Sequence, residues 1–115
     1  MYGGDPGGLK YSALDDIDRT NVHTLEVAFS WDANEAPIPA GAGQKPARPG
    51  LFQATPLAIG DTLFFPTPYN RVVALDAQNG RELWRYDPEP FKDGQPPNGT
   101  GFVHRGVAAW RGPRP

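Results

Sequence analysis

The sequence predicts an all-β protein, and three observations support that class. Short runs rich in apolar, β-branched and aromatic residues recur at 53–59, 62–66, 71–75 and 81–86. Turn-forming residues separate them: Gly60-Asp61, then Pro66-Thr67-Pro68-Tyr69-Asn70, then Asp76-Ala77-Gln78-Asn79-Gly80. No helical period is sustained beyond one or two turns. These features predict four successive strands in an antiparallel meander, the unit from which propeller blades are made. One such sheet cannot bury both of its faces alone, so it needs neighbours.

The strongest local signal is RVVALDAQNGRELWRYDP, residues 71–88. Val72, Val73 and Leu75 form a short apolar strand. Gly80 stands where a tight turn needs positive φ at no steric cost. Glu82 to Tyr86 then alternates polar and apolar residues, as a half-buried strand does. Two strands around a glycine-containing turn make a β-hairpin.

Elsewhere the elements are weaker. Residues 1–11, MYGGDPGGLKY, carry no hydrophobic period and predict an extended or turning segment, with Tyr2 and Tyr11 as possible anchors. In 12–25, Leu14, Ile17, Val22 and Leu25 fall at loosely helical spacing, with Thr20 or Asn21 able to cap one short turn. Residues 26–33, EVAFSWDA, alternate through Val27, Phe29 and Trp31 and predict a strand. Residues 36–50 form a Pro/Ala/Gly loop expected to lack regular structure, and 89–101 a second Pro/Gly loop. The Asn98-Gly99-Thr100 sequon within it reads as a surface turn. Residues 102–110, FVHRGVAAW, predict the opening of a fresh strand. A strand at each end without a partner suggests an incomplete protein.

The composition narrows the function classes. Fourteen Gly and 14 Pro make nearly a quarter of the 115 residues turn and loop material, and the hydrophobic share is 38%. A core built from the rest is thin for this length. Eleven Lys and Arg against 13 Asp and Glu give a net charge of -2 with dispersed cations, which provides no footprint for nucleic acid. No apolar run is long enough to span a bilayer, and no signal peptide is visible. The absence of cysteine excludes disulfides, thiolate metal sites and a Cys nucleophile. Asp15, Asp16 and Asp18 lack the loop pattern of a calcium site and read as turn and capping residues. Gly3-Gly4 and Gly7-Gly8 lack the spacing of a phosphate loop. His23 reads as exposed and His104 as a sheet residue facing an axis or solvent, with proton transfer its lesser alternative.

Several stretches together resemble one family. The spacing Ala74-x-Asp76-x-x-Asn79-Gly80-x-x-x-Trp84 resembles the tryptophan-docking motif of quinoprotein β-propellers, where Thr more often stands at the Asn79 position. In that motif the Asp caps turn amides and the indole stacks over the neighbouring blade's turn. YGGDPGGLKYSALDDID and NVHTLEVAFSW resemble the amino-terminal signature of PQQ-dependent dehydrogenases. FQATPLAIGDTLFFPTPYNRVVALDAQNGRELWRYDP resembles their first complete blade, and HRGVAAW the start of the second. The glucose dehydrogenase group and its polyol-oxidising relatives are the most similar branch. The resemblance covers nearly the whole chain but only the beginning of such an enzyme.

It implies a fragment of an eight-bladed propeller: leader and first strand in 1–35, the first complete blade in 51–88, and the next blade opening in 102–115. It implies PQQ as cofactor and a calcium ion whose ligands lie outside this fragment. The substrate would be a sugar or alcohol, the electron acceptor a quinone or cytochrome, and the remaining propeller blades obligatory partners. A periplasmic or periplasm-facing location follows from the family alone. Gln53, in F-Q-A-T-P-L, takes a position near the cofactor's edge where many relatives carry Glu. Arg105, in H-R-G-V, matches an arginine beside the PQQ carboxylates and quinone oxygens, a role suited to a guanidinium fork. On residues alone, Arg105 reads rather as a salt-bridged strand residue; the resemblance is what turns it toward the cofactor. Val103-His104 replaces the vicinal cysteine pair of the alcohol-oxidising branch, which favours the glucose type. No catalytic residue and no metal ligand is assigned, and the fragment alone is expected to be inactive. The competing reading is a non-catalytic propeller scaffold of the outer-membrane assembly type, which gives no reason for H-R-G-V.

Overall fold

A computed structural model describes residues 14–112. The expectations for residues 1–11 lie outside the described residues. Four strands form one sheet in sequence order: β1 (Leu57–Ile59), β2 (Thr62–Pro66), β3 (Val72–Asp76) and β4 (Glu82–Tyr86), all antiparallel. This is the predicted meander, with its first strand shortened from 53–59 to the three residues that pair with β2.

Residue alternation assigns the faces. Phe65, Val73 and Leu75 lie on one face and form a core cluster, with Val73 fully buried and Leu75 2% exposed. Phe29, Trp31 and Ala54 pack against it. Trp31 meets Phe65 edge-on at 5.2 Å between centroids, within the range where aromatic pairs add to area burial. On the opposite face Phe64, Ala74 and Trp84 are directly paired across three strands. The Phe64 and Trp84 rings sit 5.8 Å apart and leave no exposed surface on Ala74 between them.

Residues 26–33 correct the expectation of a strand. They are extended without ladder pairing, but their apolar alternation still acts, placing Phe29 and Trp31 on the sheet. Side-chain burial here is decoupled from backbone pairing, because no strand of the described residues lies alongside. Residues 102–110 also form no strand, for the same reason. One link is made: the Thr55 N–H donates to the Arg105 carbonyl at 2.8 Å. Residues 36–50 depart in the other direction. Ile38 and Ala47 exchange two backbone hydrogen bonds of 2.7 and 3.0 Å, and Gly41 pairs with Gln44, so the loop contains a miniature hairpin. Its apolar pair has somewhere to go, since Ile38 and Ala47 pack in a second cluster with Tyr69, Phe102 and Phe91. The helical signal at 12–25 condenses to one 3-10 turn, Val22–Thr24. Asp18 organises its approach by accepting from the Thr20 N–H and hydroxyl at 2.7 and 2.6 Å.

The β3–β4 turn follows its sequence signature. Asp76 Oδ1 accepts from Gln78 N–H, and Asn79 Oδ1 accepts from Arg81 N–H, each at 2.8 Å. Gly80 has φ of 76°, and a Cβ there would lie 2.7 Å from Phe29 Cγ. Gly80 therefore serves both the turn and the close seat of the Phe29 ring. Trp84 differs from a buried docking residue in this chain, since 48% of it is exposed. All of β4 is exposed, and the register steps from Ala74–Trp84 to Leu75–Glu82, leaving Leu83 as the extra residue of a bulge.

Two outcomes follow for denaturant unfolding of the chain. Leu75→Ala should cost about 2–5 kcal/mol as a core truncation, whereas Trp84→Ala, half-exposed, should cost about 1.5 kcal/mol. Gly80→Ala should cost at least about 1 kcal/mol from the left-handed backbone alone. Part of the remainder should be recovered when Phe29 is shortened to Leu in the same chain. Equal costs for Leu75→Ala and Trp84→Ala would contradict the assignment of the covered and open faces.

Candidate functional site

A cavity of about 610 Å³ opens between the loop ending at Gly50, the segment 51–53, the loop around 95–101 and the segment carrying Val103 and Arg105. Gln53 and Arg105, singled out from the sequence, both line it. Arg48, Gln95, Asn98 and Thr100 line it too, and none of these was legible as a site residue beforehand. No Asp or Glu is among its lining residues. The guanidiniums of Arg48 and Arg105 form no ion pair with any described residue.

Each wall is fixed by a local device. Gly50 donates to the Pro68 carbonyl at 2.9 Å, and a Cβ at Gly50 would lie 2.9 Å from the Val103 nitrogen. Only a bare backbone lets the loop 36–50 pass this close to 102–103. The Arg48 N–H donates to Gln95 Oε1 at 2.9 Å, which joins the two Pro/Gly loops at the cavity. Asn98 Oδ1 accepts from the N–H groups of Thr100 and Gly101, a local turn that consumes the oxygen of the sequon asparagine. The Thr55–Arg105 backbone bond sets the Arg105 segment beside the one that carries Gln53. The backbone is thereby held while the cationic side chains stay exposed.

A polar clamp fastens the loop 36–50 to the sheet. The Glu35 side chain, 2% exposed, accepts from the Tyr69 N–H at 2.8 Å, the Thr67 hydroxyl at 2.8 Å and Arg71 Nη1 at 2.6 Å. Arg71 Nε reaches Asp87 at 2.8 Å, and its guanidinium lies 5.0 Å from the Phe91 ring centroid and 5.6 Å from that of Tyr69. The Tyr69 hydroxyl donates toward the Ala36 and Ala47 carbonyls, at 2.8 and 3.3 Å. Burial acts against the charge on Arg71, but its hydrogen bonds to Asp87 and Glu35 outweigh it and raise the pKa. For Asp87 burial pulls upward, yet the Arg71 hydrogen bond, the Glu89 N–H and the charges of Arg71 and Arg85 leave it below its ordinary value. Burial raises the Tyr69 phenol.

His104 is exposed and stands beside Arg105 without lining the cavity, and His23 is exposed on the 3-10 turn. Among the described residues no cluster of three or more His, Cys, Asp or Glu is placed to hold a metal. No helix among them is long and apolar enough to cross a membrane.

A four-stranded antiparallel meander with one sealed and one open face is the architecture of a single propeller blade. The chain belongs to the family described as "PQQ: Glucose/ethanol/alcohol dehydrogenase, beta-propeller domain", whose model matches residues 1–115. It is 37% identical over 84 residues to a quinate/shikimate dehydrogenase (quinone) of Acinetobacter baylyi, covering 73% of this chain and 10% of that protein. It is 36% identical over 88 residues to a quinoprotein glucose dehydrogenase of Escherichia coli, covering 76% of this chain and 10% of that protein. A quinohemoprotein alcohol dehydrogenase, ADH IIB, of Pseudomonas putida is 36% identical over 101 residues, covering 88% and 13%. The chain thus spans about a tenth of the length of these curated relatives.

The clamp sets a pH expectation. A carboxylate held below its unfolded pKa of about 3.9 contributes stability that is present above that value and lost as pH falls through the folded pKa. The chain should therefore lose stability as pH drops below about 4, and Asp87→Asn should flatten this part of the profile, read from denaturant midpoints. Arg71→Leu leaves the buried Glu35 carboxylate without its cation and should cost about 3–5 kcal/mol at neutral pH. An unchanged midpoint would remove the clamp from the account of stability.

Proposed function

We propose that the chain supplies one blade and part of the cofactor wall of a PQQ-dependent dehydrogenase, in which Gln53 and Arg105 contact PQQ. The observation that carries this reading is a single cavity lined by both residues, with cationic and amide groups and no carboxylate. That donor set fits a planar, polyanionic cofactor, since a guanidinium fork pairs with carboxylates and a neutral carboxamide both donates and accepts. When bound, PQQ supplies the two-electron acceptor chemistry, while the protein orients and polarises it. Arg105 holds a fixed positive charge against a carboxylate or quinone oxygen. Gln53 adds a hydrogen bond without adding charge. The Thr55–Arg105 backbone bond and the close pass at Gly50 keep the two segments at a constant separation, so that orientation is set before the cofactor arrives.

The substrate in this reading is a sugar or polyol hydroxyl, and the electrons leave to a quinone or cytochrome. Val103-His104 and the absence of cysteine favour the glucose type over the alcohol type. The whole enzyme would face the periplasm and draw its calcium ligands from other blades. The relatives are dehydrogenases by name, which leaves the scaffold reading without support.

The test is titration of PQQ into the apo form of the complete enzyme with calcium present. Arg105→Ala should weaken binding by about 1.5–3 kcal/mol for loss of a charge-assisted hydrogen bond. Lys should restore part of this, because it keeps the charge and loses the fork. Equal affinities for wild type and both variants would remove Arg105 from the cofactor site.

A further inference from the structure

We propose that Arg48 is a second carboxylate anchor in the same cavity, distinct in role from Arg105. This rests on the cofactor reading of Gln53 and Arg105 and extends it to a residue that no sequence motif marks. Arg48 sits in a loop rich in Pro, Ala and Gly. The ordinary fate of an arginine there is a solvated side chain on a mobile backbone, which carries no binding role.

Three observations oppose that fate. The backbone at Arg48 is anchored, since its N–H donates to Gln95 Oε1 at 2.9 Å, a residue 47 positions away. On either side the chain is fixed as well: Ala47 is buried and bonded to Ile38, and Gly50 bonds to Pro68 against the 102–103 backbone. Finally, Arg48 lines the cavity together with Arg105, the lining includes no carboxylate, and neither guanidinium is ion-paired to a described residue.

Two guanidiniums that line one cavity and pair with no described carboxylate leave two forks open to an anionic ligand. One carboxylate satisfies one fork in bidentate fashion. The second fork calls for a second carboxylate, carried either by the cofactor or by a hydroxy-acid substrate seated beside it. The Arg48 head group then sets whether the site prefers an acid over a neutral polyol.

The experiment uses the complete enzyme as wild type, Arg48→Ala, Arg48→Lys and Arg105→Ala, with calorimetric titration as the readout. PQQ is titrated into each apo protein. Gluconate and sorbitol, which share a six-carbon hydroxylated chain and differ at one terminal carboxylate, are titrated into each PQQ-loaded protein. If the anchored carboxylate belongs to the cofactor, Arg48→Ala weakens PQQ binding about tenfold or more, and Lys recovers part of it. If it belongs to the substrate, PQQ affinity stays within about twofold, gluconate binding falls about tenfold, and sorbitol binding is unchanged. Unchanged affinity of Arg48→Ala for both PQQ and gluconate overturns the proposal. Failure of the underlying cofactor reading shows separately, as unchanged PQQ affinity in Arg105→Ala. Matching thermal midpoints for wild type and Arg48→Ala, expected for an exposed side chain, exclude misfolding as the cause of any loss.

Discussion

The rest of the molecule depends on the contact between the buried Glu35 carboxylate and Arg71. A carboxylate with 2% side-chain exposure is tolerated only when its lone pairs are taken up, and here a backbone N–H, a hydroxyl and a guanidinium take them. Those donors all come from the connection between β2 and β3, while Glu35 comes from the segment that precedes the long loop. The bond therefore ties the beginning of the chain to the middle of the sheet. Arg71 carries the tie onward to Asp87 just after β4, and over the Phe91 ring on the loop that follows. One side chain thus joins the segment before the long loop, the β2–β3 connection and the chain that follows β4.

Around that polar knot the two hydrophobic clusters divide the work. The cluster of Phe65, Val73 and Leu75 is the ordinary core of a sheet face, sealed by Phe29 and Trp31. The cluster of Ala47, Tyr69 and Phe102 contains no strand residue and gathers three loops instead. Tyr69 joins this second cluster to the polar knot, since its ring packs among Phe91 and Phe102 while its N–H donates to Glu35 and its hydroxyl bonds to two loop carbonyls. A protein with so much Pro and Gly can build a defined cavity because these loops have their own small core.

The sheet was legible in the sequence because its signals are local. Alternation, the Asp76–Gly80 turn chemistry and the apolar run at 72–75 require no information from elsewhere in the chain. Residues 26–33 alternate and residues 102–110 are apolar around His104-Arg105, yet neither pairs as a strand, because a strand needs a partner that local sequence cannot reveal. The miniature hairpin in 36–50 was hidden for the converse reason: its pairing is stabilised by Tyr69 and Phe91, far along the chain. The site divided in the same way. Gln53 and Arg105 were marked by family motifs, and a single cavity joins them. Arg48, Gln95 and the Glu35 clamp carry no motif, since their roles arise from contacts across tens of residues.

The architecture also explains why stability and chemistry are separable in this chain. Side chains of the sheet are buried or await cover, and their contribution scales with area removed from water. The cavity contributes little to stability, because the side chains of Arg48 and Arg105 are exposed and form no ion pair with a described residue. The loops can hold that arrangement since their backbones are fixed by Gly50, Gln95 and Tyr69 rather than by the cationic side chains themselves. Removing either guanidinium should then leave the walls in place and change only what the cavity accepts. Disturbing Glu35 or Arg71 should do the reverse, loosening the walls while the charges remain.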